Sequence, residues 1–254
     1  MGATHLLFHN QGRGRPIGGG SDLFAYANRT LATEPSDLIG YWPLWEASGV
    51  IADNYEGTAA RDGGYVGVTL GQPGIGDGNT CPLFDGANDY VDNYSASLAG
   101  AFDGGEGTAL IWAKVSGVGA WTDSTQRAAF SIQADNNNRL KIQKDNANNV
   151  LQWFYFAGGT QENETRGLVS ETGWMHFGIT WSATADEVIH YYNGIQQGGI
   201  DTGLGTWAGA IVESTTNIGA ASEAPTDIWD GYLAHHAVWT KALTQPQIAA
   251  LAVV

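Results

Sequence analysis

The chain has 254 residues, of which 43% are hydrophobic, and this length suits one large domain with a sizeable core. Its 36 glycines and ten tryptophans predict many short strands joined by turns, with little helix. A formal net charge of −15 excludes a phosphate-backbone partner and argues against docking on an anionic membrane, so we expect neither nucleic acid nor membrane as a partner.

The first 36 residues differ in composition from the rest of the chain. The stretch "QGRGRPIGGG" is rich in glycine, and the residues after it do not alternate like a strand. The few apolar residues of this segment cannot form a core alone. Residues 1 to 36 are therefore predicted to be an extended N-terminal arm that docks on a partner chain or on the body of its own domain. No secretory or lipidation motif is expected at the start of the chain.

The first predicted strand lies in "LIGYWPLWEASG", residues 38 to 49. Its aromatic residues Tyr41, Trp42 and Trp45 could form a surface that binds a ligand, or they could belong to the core. Each aromatic ring buries about 150–250 Å² when it packs inside a protein. We expect the core, with these side chains filling the sandwich interior and sealing its edge.

Three further strands follow with Asn-rich turns between them. They cover residues 127 to 133, 139 to 144 and 150 to 156, and this spacing predicts a three-stranded antiparallel meander.

Near residue 180 the period-2 pattern is clear. In "WMHFGITW", Met175, Phe177, Ile179 and Trp181 share one face, and Trp174, His176, Gly178 and Thr180 share the other. Residues 187 to 199 then fold back through Asn193-Gly194, a strong hairpin signal. The only convincing helix is "LTQPQIAAL", with Thr244 as its N-cap and Ile248 and Leu251 on one side.

Four stretches, in chain order, resemble the laminin-G-like, concanavalin A-like jelly-roll family. They are "LIGYWPLWEASG", "LFDGANDYVD", "GWMHFGITWSATADEVIHYYNG" and "IWDGYLAHHAVWTKALTQPQIAAL". The resemblance covers residues 37 to 254 and implies an all-β, two-sheet antiparallel jelly-roll sandwich. Members of this family include lectins and glucanases, and some occur in phage virion proteins.

Hydrolytic members of the fold carry carboxylates that alternate along one strand, so that an acid and a nucleophile face each other. Glu162 and Glu164 are expected in a loop, and the neighbours Asp186 and Glu187 should point to opposite faces. No predicted strand therefore carries the pattern, and Cys81 has no neighbouring base. We expect no catalytic residues and no enzyme activity.

Calcium is the metal that the resemblance suggests, because the family often holds a structural Ca²⁺ through oxygen ligands. Asp53, Asn54 and Asp62 supply such oxygens after the first strand, although Gly231 to His235 lacks the acidic pair of many relatives. The alternative is a loop whose carboxylates cap backbone amides. Zinc is not expected, because the consecutive His235 and His236 should point to opposite faces.

Sugar binding needs aromatic faces and amide or carboxylate groups. The candidates are residues in or beside predicted loops: Trp121, Asp123, Trp207, Trp229, Asn137 and Asn148. Simple turn chemistry is the alternative interpretation for the Asn-rich loops.

Three functions of different class remain. The favoured hypothesis is a non-catalytic structural or adhesive protein on the surface of a phage-like particle, as a capsid decoration or tail-associated protein. It would contact other virion subunits through its arm, form a homo-oligomer and bind cell-surface polysaccharide weakly. The alternatives are a free carbohydrate-binding module of a secreted system and a glycan hydrolase or lyase.

Overall fold

The computed structural model describes residues 24–146, 150–167, 171–224 and 226–254. Across these ranges there are sixteen strands: β1 Leu38–Trp42, β2 Ile51–Ala52, β3 Gly63–Val66, β4 Thr69–Pro73, β5 Thr80–Asp85, β6 Tyr90–Asp92, β7 Glu106–Val115, β8 Arg127–Asp135, β9 Asn138–Lys144, β10 Val150–Ala157, β11 Thr160–Gly167, β12 Met175–Ser182, β13 Glu187–Tyr192, β14 Ile195–Asp201, β15 Asn217–Ile218 and β16 Asp230–Trp239. The helices are α1 Ala25–Ala32, α2 Ala96–Ala101, α3 Gly119–Thr122 and α4 Gln245–Leu251.

The strands form two eight-stranded antiparallel sheets. One has the order β14-β13-β12-β7-β16-β5-β4, with β1 paired to β16, and we call it the helix-covered sheet. The other has the order β11-β10-β9-β8-β15-β6-β3-β2, and we call it the open sheet. The predicted all-β jelly-roll sandwich is confirmed. None of the helices in the described ranges has the length and apolar character needed to cross a membrane.

The sandwich interior holds one large apolar cluster made of the inward-facing residues of both sheets. Strands β8 and β10 contribute Phe130, Ile132 and Trp153, and β12 contributes Phe177. The inward set on β12 is Met175, Phe177, Ile179 and Trp181, as the alternation of the sequence predicts.

The aromatic residues of β1 are divided between two layers. Trp42 is fully buried in the interior cluster, whereas Tyr41 is fully buried on the outer side of the same sheet. Trp45, just past the strand, is partly buried and contacts Tyr55 edge-on at 4.9 Å between ring centroids. The prediction that these rings belong to the core holds, but the core has an outer layer as well as an interior.

Helices α1 and α4 form that outer layer. Tyr26 donates a hydrogen bond to the carbonyl of Leu251 at 2.9 Å, and both helices pack on Leu110 and Trp239 of the sheet beneath them. Helix α4 starts after Thr244 and buries Ile248 and Leu251, as predicted.

Helix α1 was not predicted, because residues 24 to 36 were assigned to an extended arm. Its sequence pattern is weak, and the helix exists because Ala27 and Leu31 bury themselves against α4 and the sheet. Residues 24–36 therefore lie on the body of the domain. Residues 1–23 of the predicted arm lie outside the described residues, and their docking stays a prediction.

The hairpins follow the sequence closely. Strands β8, β9 and β10 pair consecutively, which confirms the meander. Strands β13 and β14 meet at Asn193 and Gly194, whose φ angles of 48° and 76° lie in the left-handed region that this tight turn requires.

Candidate functional site

The outer face of the open sheet carries polar and aromatic side chains in three cross-strand rows on β9, β10 and β11. We call these nine residues the polar face: Arg139, Phe156 and Gln161 in the first row, Lys141, Phe154 and Asn163 in the second, and Gln143, Gln152 and Thr165 in the third. They alternate with the interior residues Leu140, Ile142, Trp153 and Tyr155. Because neighbouring side chains in a row lie about 5 Å apart, the nine groups form one continuous surface.

A chain of hydrogen-bonded amides crosses this face. Gln143 Nε2 donates to Gln152 Oε1 at 3.0 Å, and Gln143 Oε1 accepts from Gln126 Nε2 at 2.8 Å. Gln126 Nε2 also donates to Asp227 Oδ2 at 2.9 Å, and Lys141 Nζ lies 3.3 Å from the same oxygen. The network fixes the orientation of each amide, so the face presents donors and acceptors in set positions.

The polar face also offers two phenylalanine rings side by side. The centroids of Phe154 and Phe156 are 6.1 Å apart. The guanidinium of Arg139 lies over Phe156 at 4.1 Å from the ring centroid. Phe154 is half-buried, so part of its ring remains accessible.

The two cations of this face are partly desolvated. Burial lowers the pKa of Lys141, and Asp227 opposes that effect. Burial likewise lowers the pKa of Arg139. Both groups can donate hydrogen bonds to oxygen atoms of a ligand, as Lys and Arg side chains commonly do.

At one end of the sandwich, three loops meet beside the first row. Asn138 Oδ1 accepts from the backbone amides of Gly158 at 2.9 Å and Ala208 at 2.8 Å. The neighbouring Trp207 is half-buried and packs on Phe102, with 5.5 Å between ring centroids. Asn137 is exposed in the β8–β9 turn. The structure thus brings Trp207 and Asn137 to the same loop cluster.

Trp121 and Trp229 do not lie on a surface, which corrects their assignment as sugar-stacking residues. Both belong to the interior cluster, with exposed fractions of 1% and 0%. Trp121 Nε1 donates to the carbonyl of Glu171 at 2.6 Å, and Trp229 Nε1 to the carbonyl of Lys114 at 3.3 Å. Neither ring has a free face, because each comes from a connecting segment that folds inward and closes the sandwich.

Asp123 is at the opposite end of β8 and β9 from Trp207. Its carboxylate receives hydrogen bonds from Arg127 and from Lys144, whose Nζ lies 2.9 Å from Asp123 Oδ1. Burial opposes ionisation, but these two cations lower the pKa of Asp123 to about 2. Lys144 is 1% exposed, so Asp123 neutralises a buried charge. Asn148, another predicted sugar-binding residue, lies outside the described residues.

The carboxylates that were assigned to a loop lie on a strand, and this expectation was wrong. Glu162 and Glu164 alternate along the edge strand β11, opposite Tyr155 and Trp153 of β10. They point away from the polar face, toward the seam with β14, where the carboxylate of Glu164 packs against Gly198. The sequence of β11, TQENETRG, is polar throughout and lacks apolar alternation, so the pattern does not predict a strand there.

The loop proposed for calcium is braced by hydrogen bonds. Asn54 Oδ1 accepts from the backbone amide of Tyr41 at 2.8 Å, and Asp62 Oδ1 accepts from the backbone amide of Asn54 at 3.0 Å. Asp53 donates its backbone N–H to Glu46 at 3.2 Å. Asn54 therefore acts as a brace for β1, which does not fit its role as a free ligand, and calcium at this loop stays a prediction.

The consecutive histidines are separated as the sequence indicates. His235 lies in the outer layer, where its Nδ1 is 2.7 Å from Tyr41 Oη and its Nε2 is 3.1 Å from Asp77 Oδ2. His236 lies in the interior, stacked on Trp42 at 5.7 Å. The two rings cannot share one ion.

Comparison with protein families gives a match to the concanavalin A-like lectin/glucanases superfamily over residues 84–249. The chain belongs to this superfamily. No curated protein sequence matches the chain.

Solved structures share the fold of this superfamily member at low identity. Domain 4 of AbnA, an extracellular GH43 arabinanase from Geobacillus stearothermophilus in complex with arabinotriose, is 15% identical over 85% of this chain and 98% of that chain, with a TM-score of 0.56. Trypanosoma rangeli sialidase in complex with sialic acid is 11% identical over 90% of this chain and 36% of that chain, with a TM-score of 0.61.

The botulinum neurotoxin serotype D binding domain is 12% identical over 86% of this chain and 52% of that chain, with a TM-score of 0.57. The chain thus spans about a third to a half of the sialidase and toxin structures. At these identities the likeness shows the fold alone.

The polar face is not among the sites that the sequence predicts. The signal is present in "RLKIQK" and "VLQWFYF", where polar or aromatic residues alternate with the apolar core set. Alternation of this kind predicts a strand but does not show which outward residues form a binding surface. Phe154 and Gln152 each lie two residues from another member of the same face, and this spacing is the signal for it.

Proposed function

We propose that this superfamily member is a non-catalytic carbohydrate-binding domain, and that the polar face of the open sheet is its binding site. The observation that carries the proposal is the combination of a half-buried Phe154 with an ordered row of amides and two cations on strands β9 to β11, which no described helix covers. Aromatic rings stack on the apolar faces of pyranoses, and amides and cations bond their hydroxyls. Arabinotriose bound to the arabinanase domain is consistent with sugar recognition on this fold.

A single site of this kind binds weakly. One accessible ring contributes about 0.5–1.5 kcal/mol beyond its buried area. We expect a dissociation constant near 1 mM, which corresponds to about −4 kcal/mol. Arraying many copies raises the avidity by about 10² to 10⁴ without any new contact.

The absence of catalysis is part of the proposal. The alternating pair Glu162 and Glu164 supplies the residue types that a glycosidase uses. Its placement at the β11–β14 seam, away from the polar face, supports binding over hydrolysis. Release of reducing ends from a polysaccharide, lost on Glu162→Gln or Glu164→Gln, would contradict this part.

The direct test is a glycan array with the full chain, followed by titration of the best ligands into Phe154→Ala. We expect at least a tenfold loss of binding, because the accessible stacking ring is removed. The matched control is Phe24→Ala, which removes an aromatic ring that is 40% exposed near the other sheet. Equal binding by Phe154→Ala and the wild type would place the site elsewhere.

Trp207→Ala separates the polar face from the loop cluster at its end. If the sugar reaches from the first row to that cluster, the substitution weakens binding as well. If only Phe154→Ala weakens binding, the site is confined to the sheet. Loss on Trp207→Ala alone would contradict the polar-face site and favour the loop site.

We further propose that the domain is displayed in many copies on a phage-like particle, as a decoration or tail-associated protein. The glycine-rich, arginine-containing first residues suit attachment to other subunits, and the weak site needs display to be useful. Antibody against the domain should label intact particles at regular positions. Recovery of the protein only in the particle-free fraction would contradict this role.

A further inference from the structure

Three carboxylates converge on the outer face of the open sheet, away from the polar face. Asp92 ends β6, Glu213 starts the 3₁₀ turn Glu213–Thr215, and Glu223 lies in the loop before β16. One oxygen of each lies within 4.8 Å of an oxygen of the other two. The residues come from three separate parts of the chain, so their approach is a product of the fold.

The three segments are held together by backbone contacts. Glu223 donates its backbone N–H to the carbonyl of Ser214 at 3.0 Å, which ties the loop to the 3₁₀ turn. The amide of Val212 donates to the carbonyl of Gln133 at 2.9 Å, and Gln133 Nε2 lies 3.5 Å from the carbonyl of Ala221. The 3₁₀ turn and the loop before β16 are thus fixed over the sheet.

A buried amide lies beside Asp92, one member of this group. Asn217 on β15 is the cross-strand partner of Asp92, so their side chains share one face with Cβ atoms about 5 Å apart. That face is the outer one, because the next pair, Ile218 and Val91, is in the interior cluster. Asn217 is 0% exposed, and neither its Oδ1 nor its Nδ2 has a hydrogen-bond partner among the described residues.

Among the described residues, no cation forms an ion pair with the group. The ion pairs between described residues include none of the three carboxylates. Asp92 Oδ1 accepts one hydrogen bond, from the backbone amide of Tyr94 at 3.0 Å. Three negative charges at this separation repel one another, and a buried polar amide without a partner is costly.

We propose that Asp92, Glu213 and Glu223, with the side-chain oxygen of Asn217, form a binding site for a divalent cation, and that the cation is Ca²⁺. All four ligands are hard oxygens, and no histidine or cysteine belongs to the group. Ca²⁺ accepts six to eight such oxygens in flexible geometry, so water completes the shell at the exposed side. The ion ties the 3₁₀ turn and the loop before β16 to β6.

Thermal unfolding of the full chain, stripped with a chelator, tests the site. With a dissociation constant near 10⁻⁴ M, 5 mM Ca²⁺ should raise the Tm by about 4–8 °C. The double variant Glu213→Gln/Glu223→Gln should lose this rise. Its Tm without calcium should equal or exceed that of the stripped wild type, because the repulsion is relieved.

The matched control is Glu162→Gln/Glu164→Gln, which removes two carboxylates from β11 and should keep the full calcium response. Asp53→Asn should also keep it, and this separates the site from the loop after β1. The single variant Glu213→Gln changes an exposed side chain, and we expect it to weaken calcium binding at least tenfold in calorimetric titration. No response of the wild type to Ca²⁺, or a full response in the Glu213/Glu223 variant, would overturn the proposal.

Discussion

The two outer faces of the sandwich have the same backbone pattern and opposite surroundings. On the helix-covered sheet the outward residues include Tyr41, Leu110 and Trp239, and α1 and α4 bury them. On the open sheet the outward residues of β9 to β11 are amides, cations, a threonine and two phenylalanines, and no described helix lies on them. One face is a second core layer, and the other is a surface suited to binding.

With the proposed binding site on the polar face, this difference separates the residues that stabilise the fold from those that would bind a ligand. Burial of apolar area stabilises the folded state at about 25 cal/mol per Å², so the helix-covered face should tolerate little change. Partly exposed polar residues contribute less to stability and keep their groups available to a ligand. Substitutions on the helix-covered face should therefore lower stability and leave ligand affinity unchanged. Substitutions on the polar face should do the reverse.

The largest effect is expected from Ile248→Ala on α4. Ile248 is fully buried under the helix, and truncation of such a side chain costs about 2–5 kcal/mol of unfolding free energy. Denaturant unfolding would measure it. The control is Ile200→Ala on β14, where the side chain is 47% exposed and the change should be within about 0.5 kcal/mol. Similar costs for both variants would mean that the helix layer is not part of the core.

The next effect is a loss of stability in acid that originates from His176 on the outer side of β12. Burial lowers the pKa of His176 to about 3, below its ordinary value of 6.5. The unfolded chain is protonated first, so this contribution is fully present above pH 6.5 and is lost as the pH falls toward 3. The slope is at most about 1.4 kcal/mol per pH unit for one proton.

His176→Leu should make the Tm depend less steeply on pH between pH 6 and pH 4. The variant lacks the one proton that His176 takes up in the unfolded wild type over this range. Neither ring nitrogen has a hydrogen-bond partner among the described residues, so the substitution breaks no such bond there. An unchanged slope would show that His176 is already hydrated and charged in the folded protein.

The smallest stability effect is expected from Lys141→Met on the polar face. Its ion pair with Asp227 spans 3.3 Å and the Lys141 side chain is only 13% exposed, but Asp227 keeps its hydrogen bond from Gln126, so the loss should be about 1 kcal/mol. Glycan affinity should nevertheless fall several-fold, because a hydrogen-bond donor is removed from the proposed site. A large loss of stability with unchanged affinity would place Lys141 in the scaffold and weaken the contrast between the faces.

Local sequence patterns determined much of the fold. The Asn193-Gly194 turn predicts its hairpin because few other residues accept positive φ, and the alternation through Phe177 and Ile179 predicts which side chains enter the interior. Thr244 predicts the start of α4 because its position matches helix-capping chemistry. These signals act over a few residues, so the sequence alone carries them.

Contacts between distant segments decided the rest. Helix α1 forms because Leu31 meets α4 more than 200 residues away, and Trp121 is interior while Trp207 is at the rim because of where their connecting segments fold. The group of Asp92, Glu213 and Glu223 exists only where three segments meet. A local pattern shows which residues alternate on a strand. Which outward face is covered depends on the segments that pack upon it, and these lie far away along the chain.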